Sequence, residues 1–169
     1  MIIFSITVLI ISFLLQGAIS NVIGYTINDL SIFFTIYPLI TLMILYPHFE
    51  NRKKFILLLV IFGILIDLVY SNTFILNTCL FYIIYIMNKG FHFFFPYNLF
   101  TVSISSLLAV YTYHIVTFLL LIILNFHNYN LMMLVESITN STIVTIIYTI
   151  IIYLIVNLLK QRFDLKEVK

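Results

Sequence analysis

The length of its uncharged apolar segments is the feature that most constrains how this chain folds. Between residues 55 and 87 the only charged side chain is that of Asp67. One helix over that segment would be about 50 Å long, whereas about 17–25 apolar residues suffice to cross the hydrocarbon core of a bilayer. The polar cluster 71–73 divides the segment. The pattern therefore predicts two short transmembrane spans joined by a tight hairpin.

Similar apolar segments recur along the rest of the chain, and only 8% of its residues are charged. A soluble domain carries about 25% charged residues, so this chain has too few to solvate the surface of a globule of its size. The sequence predicts an all-α integral membrane protein, a single transmembrane domain built as a compact bundle of six transmembrane helices. The predicted spans are 2–19, 30–46, 55–70, 74–87, 99–124 and 138–159, followed by a short tail at 160–169.

The distribution of basic residues predicts the orientation of these spans. Every lysine and arginine follows the second, fourth or sixth span, and none follows the first, third or fifth. These residues are Arg52, Lys53, Lys54, Lys89, Lys160, Arg162, Lys166 and Lys169. The positive-inside rule then places both termini and the tail in the cytoplasm. A net charge of +2 over several segments forms no basic stripe, so a lipid bilayer and not a nucleic acid is the expected environment.

Asp67 is the strongest candidate for a functional residue, because an ionisable side chain in lipid is costly and usually has a function. It lies in the outer part of the third span. Ser71 follows one turn later, and Asn72 and Asn77 lie across the hairpin. These polar side chains could form a pocket, or a partner-binding surface, at the outer ends of spans three and four. The alternative is a solvated helix end held by a few interhelical hydrogen bonds.

The chain lacks the residue patterns of a membrane enzyme or a metal site. An intramembrane aspartyl protease needs two facing acids, and only Asp67 is well inside a span. A serine protease needs a nucleophile with a nearby base, but His114 is the only histidine inside a span and no Gly-x-Ser-x-Gly elbow occurs. No two histidines have metal-ligand spacing on one helix. We therefore expect neither catalysis nor a metal or other cofactor.

Small residues recur at helical spacing in the last two spans and predict close packing of helices. In span six they are Ser137, Ser141, Thr145 and Thr149. In span five they are Thr101, Ser105 and Ala109. We expect these two ridges to hold spans five and six against each other, with a partner-binding face as the alternative.

Two segments that contain proline are expected to interrupt regular helix. Pro38 lies in the middle of the second predicted span, where proline kinks a helix. The segment 88–98 contains Gly90 and Pro96 among several aromatic residues. It is predicted to be an aromatic loop at the membrane interface.

The size, the six short spans and the middle segment together resemble the MreD family, the small membrane subunit of the bacterial rod-shape (elongation) machinery. That family typically has a proline in the second span and then a Gly-x-x-x-Gly-x-x-x-Asp stretch. A short hairpin with a Gly-Leu-Asn-like turn follows. Pro38 matches the first element, and Gly63, Asp67 and Asn77 match the others.

The resemblance is specific only between Pro38 and Met87, and two positions depart from it. Leu59 stands where the first glycine of the family's stretch would be. The segment 74–77, with the sequence Phe-Ile-Leu-Asn, lacks the turn glycine. A leucine in place of glycine at position 59 argues against a close approach of the third predicted span to its neighbour there.

The resemblance implies a non-catalytic scaffold in the bacterial cytoplasmic membrane. Such a protein binds MreC, a single-span protein, in a complex with the filament protein MreB, the glycosyltransferase RodA and a class B penicillin-binding protein. It would help to organise lateral peptidoglycan synthesis and cell shape. The family is also likened in fold to the substrate-binding (S) subunits of energy-coupling-factor vitamin transporters, and such an S subunit is the alternative function.

Overall fold

The computed structural model describes residues 2–24, 36–49, 51–71, 75–123 and 131–163. These residues form six α-helices and two single turns, and none of them lies in a strand. The helices are α1 (Ile2–Gly24), α2 (Tyr37–Leu45), α3 (Arg52–Ile66), α4 (Leu76–Phe94), α5 (Leu99–Ile123) and α6 (Leu131–Phe163). The predicted all-helical class is therefore confirmed for the described part of the chain.

Two helices in the described ranges are long and apolar enough to cross a membrane. They are α5 over Leu99–Ile123 and the Leu131–Leu159 part of α6. A shorter apolar stretch, Phe4–Ala18, lies within α1. Length and composition thus support a membrane location for this protein.

The short helix α2 forms the centre of the bundle. All nine of its residues are buried, and it contacts α1, α4, α5 and α6. Around it, α3 packs mainly against α4, and α5 packs mainly against α6. A helix that is apolar on every side must be covered on every side, so the longer helices are arranged around α2.

The first turn of α2 corrects the prediction for Pro38. The helix begins at Tyr37, with Pro38 in its first turn, and the predicted start of this span at 30–35 lies outside the described residues. Proline is tolerated there because a first-turn N–H has no partner within its own helix. The N–H of the neighbouring Tyr37 finds its acceptor in α1, because Oε1 of Gln16 accepts it at 3.0 Å. Pro38 therefore helps to start α2, and α2 is not kinked in its middle.

The predicted aromatic loop is helical over residues 88–94. Helix α4 continues through these residues, so it is longer than the fourth predicted span. It stops where Phe95 has an extended backbone, with φ −117° and ψ 136°. Steric conflict with Pro96 favours that conformation in the preceding residue. Tyr97 then ties the connection to the core, because its hydroxyl donates to the Ile44 carbonyl oxygen at 2.9 Å.

Candidate functional site

Helices α3 and α4 meet at a buried carboxylate. Asp67 is the first residue of a π turn, Asp67–Ser71, that follows α3, and its side chain is only 2% exposed. Its Oδ1 accepts hydrogen bonds from the backbone N–H of Asn77 at 2.9 Å and from the Asn77 side-chain amide at 3.0 Å. Its Oδ2 accepts from the backbone N–H of Thr78 at 3.2 Å and from the Thr78 hydroxyl at 3.1 Å. Four donors therefore surround the two oxygens of one carboxylate.

This carboxylate caps α4 from the neighbouring helix. The N–H groups in the first turn of a helix have no acceptors within that helix, and an N-cap side chain usually supplies one. The N-cap residue of α4 is Ile75, which makes no such hydrogen bond. Asp67 provides the missing acceptors, and a negative charge at this position is also favoured by the dipole of α4.

The turn before α4 has an unusual backbone conformation. Ile75 has φ 65° and ψ 0°, in the left-handed region, and it is the one non-glycine residue with positive φ in the part of the chain that the structure describes. Left-handed backbone is disfavoured for side chains with a Cβ, and most of all for β-branched ones. An isoleucine at this turn is thus a source of local strain.

Gly63 allows α3 to approach α4 closely on the core side of the carboxylate. A Cβ atom built on Gly63 would lie 2.7 Å from the Cα of Thr78, a distance that no side chain could occupy without moving the backbone. The N–H and hydroxyl of the same Thr78 donate to Asp67, which lies one turn beyond Gly63. The close contact at Gly63 and the hydrogen bonds of Asp67 therefore join α3 and α4 one helical turn apart.

The network extends to α5 through Asn77. The Tyr113 hydroxyl donates to Oδ1 of Asn77 at 2.6 Å, and both side chains are buried. This bond orients the Asn77 amide so that its nitrogen faces Asp67. Sequence reasoning singled out Asp67 and Asn77 but missed Thr78 and Tyr113. The first-turn position of Thr78 was a usable signal, whereas nothing local points to Tyr113.

The chemistry of this site is that of a hydrogen-bond acceptor. An ionised carboxylate has about four lone-pair sites, and four donors from Asn77 and Thr78 occupy them. The geometry therefore favours interhelical hydrogen bonding, although at a buried position and not at a solvated helix end. Ser71 lies in the π turn after Asp67, and Asn72 lies outside the described residues.

The predicted ridge on α6 is buried along most of its length. Ser141, Thr145 and Thr149 are fully buried. Ser137 is partly exposed, and its hydroxyl donates to the Met133 carbonyl oxygen at 2.7 Å. Three of the four predicted positions therefore face the interior of the bundle.

The predicted ridge on α5 has a different role from the one expected. Thr101 takes part in capping the start of α5, since its N–H donates to Oδ1 of Asn98 at 2.9 Å. Ser105 and Ala109 line a groove between α4 and α5. The hydrogen bonds to α6 come from other residues: the Ser106 hydroxyl lies 2.8 Å from that of Thr149, and the Tyr111 hydroxyl lies 2.9 Å from that of Thr142. The face that carries Ser105 and Ala109 is thus turned to α4.

The groove between α4 and α5 contains a residue that sequence reasoning assigned to a loop. The groove has a volume of about 370 Å³, and most of its lining is apolar. Asn88 of α4 lines it and is 4% exposed. Neither Nδ2 nor Oδ1 of this amide has a hydrogen-bond partner among the described residues. An unpaired buried amide is costly, so Asn88 is an unsatisfied polar group in the wall of the groove.

Comparison with known proteins adds no relative to this description. No protein-family model, no curated protein and no solved structure matches the chain. Within the described ranges, no three histidine, cysteine, aspartate or glutamate side chains lie close enough together to hold a metal ion.

Proposed function

We propose that this protein is a non-catalytic membrane scaffold of the bacterial rod-shape complex that binds an MreC-type membrane protein. In this proposal it is a multi-pass protein of the cytoplasmic membrane, with six spans and both termini in the cytoplasm. Through the MreC-type partner it would associate with an MreB-type filament, a RodA-type glycosyltransferase and a class B penicillin-binding protein. It would thereby help to organise lateral peptidoglycan synthesis and cell shape.

The observation that carries this proposal is the convergence of three motif residues at one place. Gly63, Asp67 and Asn77 are spread over 15 positions, yet all of them act where α3 meets α4. Gly63 admits the backbone of Thr78, and Asp67 bonds directly to Asn77. The order of residues that resembles the MreD family thus has a shared structural purpose, which a chance resemblance would not require.

The saturated carboxylate supports a scaffold over a carrier. A proton or cation carrier needs an acid that can exchange its partner during the transport cycle. Asp67 is instead held by four donors from α4, and two of these donors are backbone N–H groups. We infer that Asp67 and Asn77 support the contact surface by fixing the α3–α4 hairpin and do not touch the partner themselves.

The positions of the basic residues support the proposed topology. Arg52, Lys53 and Lys54 begin α3, and Lys89 lies towards the end of the antiparallel helix α4. All four therefore lie at the same end of the hairpin, as the positive-inside rule requires of cytoplasmic ends. Lys160 and Arg162 fall in the last turns of α6, which run towards the same end in a six-span arrangement.

The groove between α4 and α5 suits a single transmembrane helix of the partner. Small residues such as Ser105 and Ala109 let helix backbones approach closely in lipid. The buried amide of Asn88 has no partner among the described residues, and a change of its side-chain rotamer would present it to a polar residue of the partner helix. Asn88 is eleven residues beyond Asn77, about 16 Å along α4. The groove is therefore well separated from the Asp67 site.

A co-purification experiment tests the scaffold function. The tagged protein is expressed with the MreC-like protein of the same organism, extracted in a mild detergent and analysed by size exclusion. We expect a stoichiometric complex that survives the column. Retrieval of a vitamin or of a transporter coupling subunit in its place would refute the scaffold and favour the transporter S subunit.

A photocrosslinking experiment on the same complex maps the contact. A photoreactive residue replaces Leu108, which lines the groove, or Ile147 of α6, which is similarly exposed and serves as the matched control. We expect crosslinks to the MreC-like protein from position 108 and few from position 147. Equal crosslinking from both positions would contradict the groove as the contact surface.

A further inference from the structure

A second cleft lies at the basic end of the bundle, where the α2–α3 connection meets the end of α4. Its volume is about 740 Å³, and its lining is more polar than that of the α4–α5 groove. The cationic side chains that line it are Arg52 and Lys89, which come from two different helices. Tyr46, Tyr97 and His92 also line it. This cleft is separate from the Asp67 site, and it shares only Gly90 and Phe95 with the lining of the α4–α5 groove.

The guanidinium group of Arg52 is fixed at the wall of the cleft. Its Nη1 donates to the Tyr46 carbonyl oxygen at 2.9 Å, and its Cζ lies 4.3 Å from the centre of the Tyr46 ring. A guanidinium has five N–H donors in a planar fork, so this one carbonyl leaves most of them for an anion. The stacking on Tyr46 holds the fork in place before any ligand binds.

The net charge of the cleft comes from Arg52 and Lys89. His92 adds none at pH 7, because burial lowers the pKa of its imidazole below 6.5, opposed by a weaker contribution from the Phe95 carbonyl. Glu50, two positions before Arg52 in the sequence, lies outside the described residues. No described carboxylate lines the cleft. Two positive charges therefore face a cavity without a described counter-charge.

Apolar side chains lie beside these two cations. Ile86 and Phe93 also line the cleft and are 52% and 83% exposed. The cleft thus combines basic and exposed apolar surface, which matches the two parts of a phospholipid at the boundary between headgroups and acyl chains. A soluble phosphate compound would use the basic part alone.

We propose that this cleft binds the phosphate group of an anionic phospholipid between Arg52 and Lys89, with the acyl chains against Ile86 and Phe93. Basic pockets between transmembrane helices on the cytoplasmic side are suited to such headgroups. Arg52 forms the rigid, preorganised half of the phosphate site, and Lys89 is the adaptable half. The proposal requires that the protein sits in a bilayer, but it does not require binding to an MreC-type protein.

The test measures lipid binding to the purified full-length protein by native mass spectrometry in detergent. Phosphatidylglycerol is compared with phosphatidylcholine, and glycerol phosphate serves as the soluble source of the same phosphate group. We expect phosphatidylglycerol to bind more tightly than phosphatidylcholine, and a large excess of glycerol phosphate to leave its binding nearly unchanged. Equal binding of the two lipids would overturn the proposal. Full competition by glycerol phosphate would refute a lipid ligand and assign the site to a soluble phosphate ester.

Matched charge variants separate the cleft from general attraction to a basic surface. Lys89→Gln removes a cation of the cleft, whereas Lys53→Gln makes the same change in the exposed basic segment at the start of α3. We expect Lys89→Gln to weaken phosphatidylglycerol binding about fivefold and Lys53→Gln to change it less than twofold. Because Lys89 is exposed, its replacement does not threaten folding. An equal effect of both variants would show diffuse attraction and refute the site.

Discussion

Replacing Asp67 by alanine tests the structural role of the buried carboxylate directly. The change removes the acceptor of four hydrogen bonds, two from backbone N–H groups and two from side chains. The Asn77 amide and the Thr78 hydroxyl can rotate to other partners. The two backbone N–H groups are fixed by the helix and stay buried without an acceptor.

The size of the effect follows from those two unpaired groups. Each buried donor without a partner costs about 1–3 kcal/mol, so two such donors are expected to lower the free energy of unfolding of the Asp67→Ala variant by about 2–6 kcal/mol. Asp67→Asn keeps one oxygen for Asn77 but turns a donor towards the Thr78 N–H, which predicts a loss of about 1–3 kcal/mol. Thr78→Val removes a single hydroxyl donor and should cost about 1 kcal/mol. The three variants are thus expected to rank in a fixed order.

The assay is unfolding of the purified protein in mild detergent by titration with a denaturing detergent, followed by circular dichroism. Ser103→Ala is the control, because that hydroxyl is at an exposed position and bonds only to the Leu99 carbonyl of its own helix. Hydrogen exchange at the Asn77 and Thr78 amides gives a local readout, and we expect Asp67→Ala to speed exchange there first. A loss below about 1 kcal/mol for Asp67→Ala, with slow exchange retained at both amides, would refute the capping role.

Three further substitutions can be measured by the same titration. Ile75→Gly should raise the free energy of unfolding by about 0.5–1 kcal/mol, because the free energy gained by relieving left-handed strain exceeds the entropy cost of a more flexible unfolded chain. A lower free energy of unfolding would contradict strain at Ile75. Gly63→Ala should lower the free energy of unfolding by about 1–3 kcal/mol, since the new methyl group meets the Thr78 backbone. An unchanged free energy of unfolding would mean that α3 and α4 can move apart without cost. Gln16→Leu should lower it by about 1–3 kcal/mol by leaving the Tyr37 N–H without its acceptor. Unchanged exchange at the Tyr37 amide would exclude that explanation.

The sequence was sufficient to predict the helical class and the approximate position of most helices, because apolar length and polar interruptions are local properties. The end of α4 was also predictable in principle. Pro96 fixes it through the preceding residue, whereas the polar residues Asn88 and Lys89 suggest an earlier end. By contrast, Ser105 and Ser106 differ by about 100° around α5. A ridge of small residues shows that some neighbour is close, but the arrangement of the helices decides which one, so its assignment to α6 needed the structure.

Gln16 and Asp67 show why polar residues in apolar spans were hard to interpret from sequence. Tyr37 in the first turn of α2, and Asn77 and Thr78 in the first turn of α4, are buried, so water cannot satisfy their N–H groups. Neither N-cap residue, Ile36 or Ile75, offers a side-chain acceptor, so the acceptor comes from another helix in each case. In the sequence Gln16 is a single polar residue in an apolar span and Asp67 suggests a functional pocket, yet both side chains accept hydrogen bonds from the first turn of another helix. A lone polar residue within an apolar span should therefore first be tested as the cap of a helix that begins at the same depth. An acid is a strong candidate for ligand or proton binding only when its lone pairs remain free of such capping hydrogen bonds. Those of Asp67 are occupied by four donors.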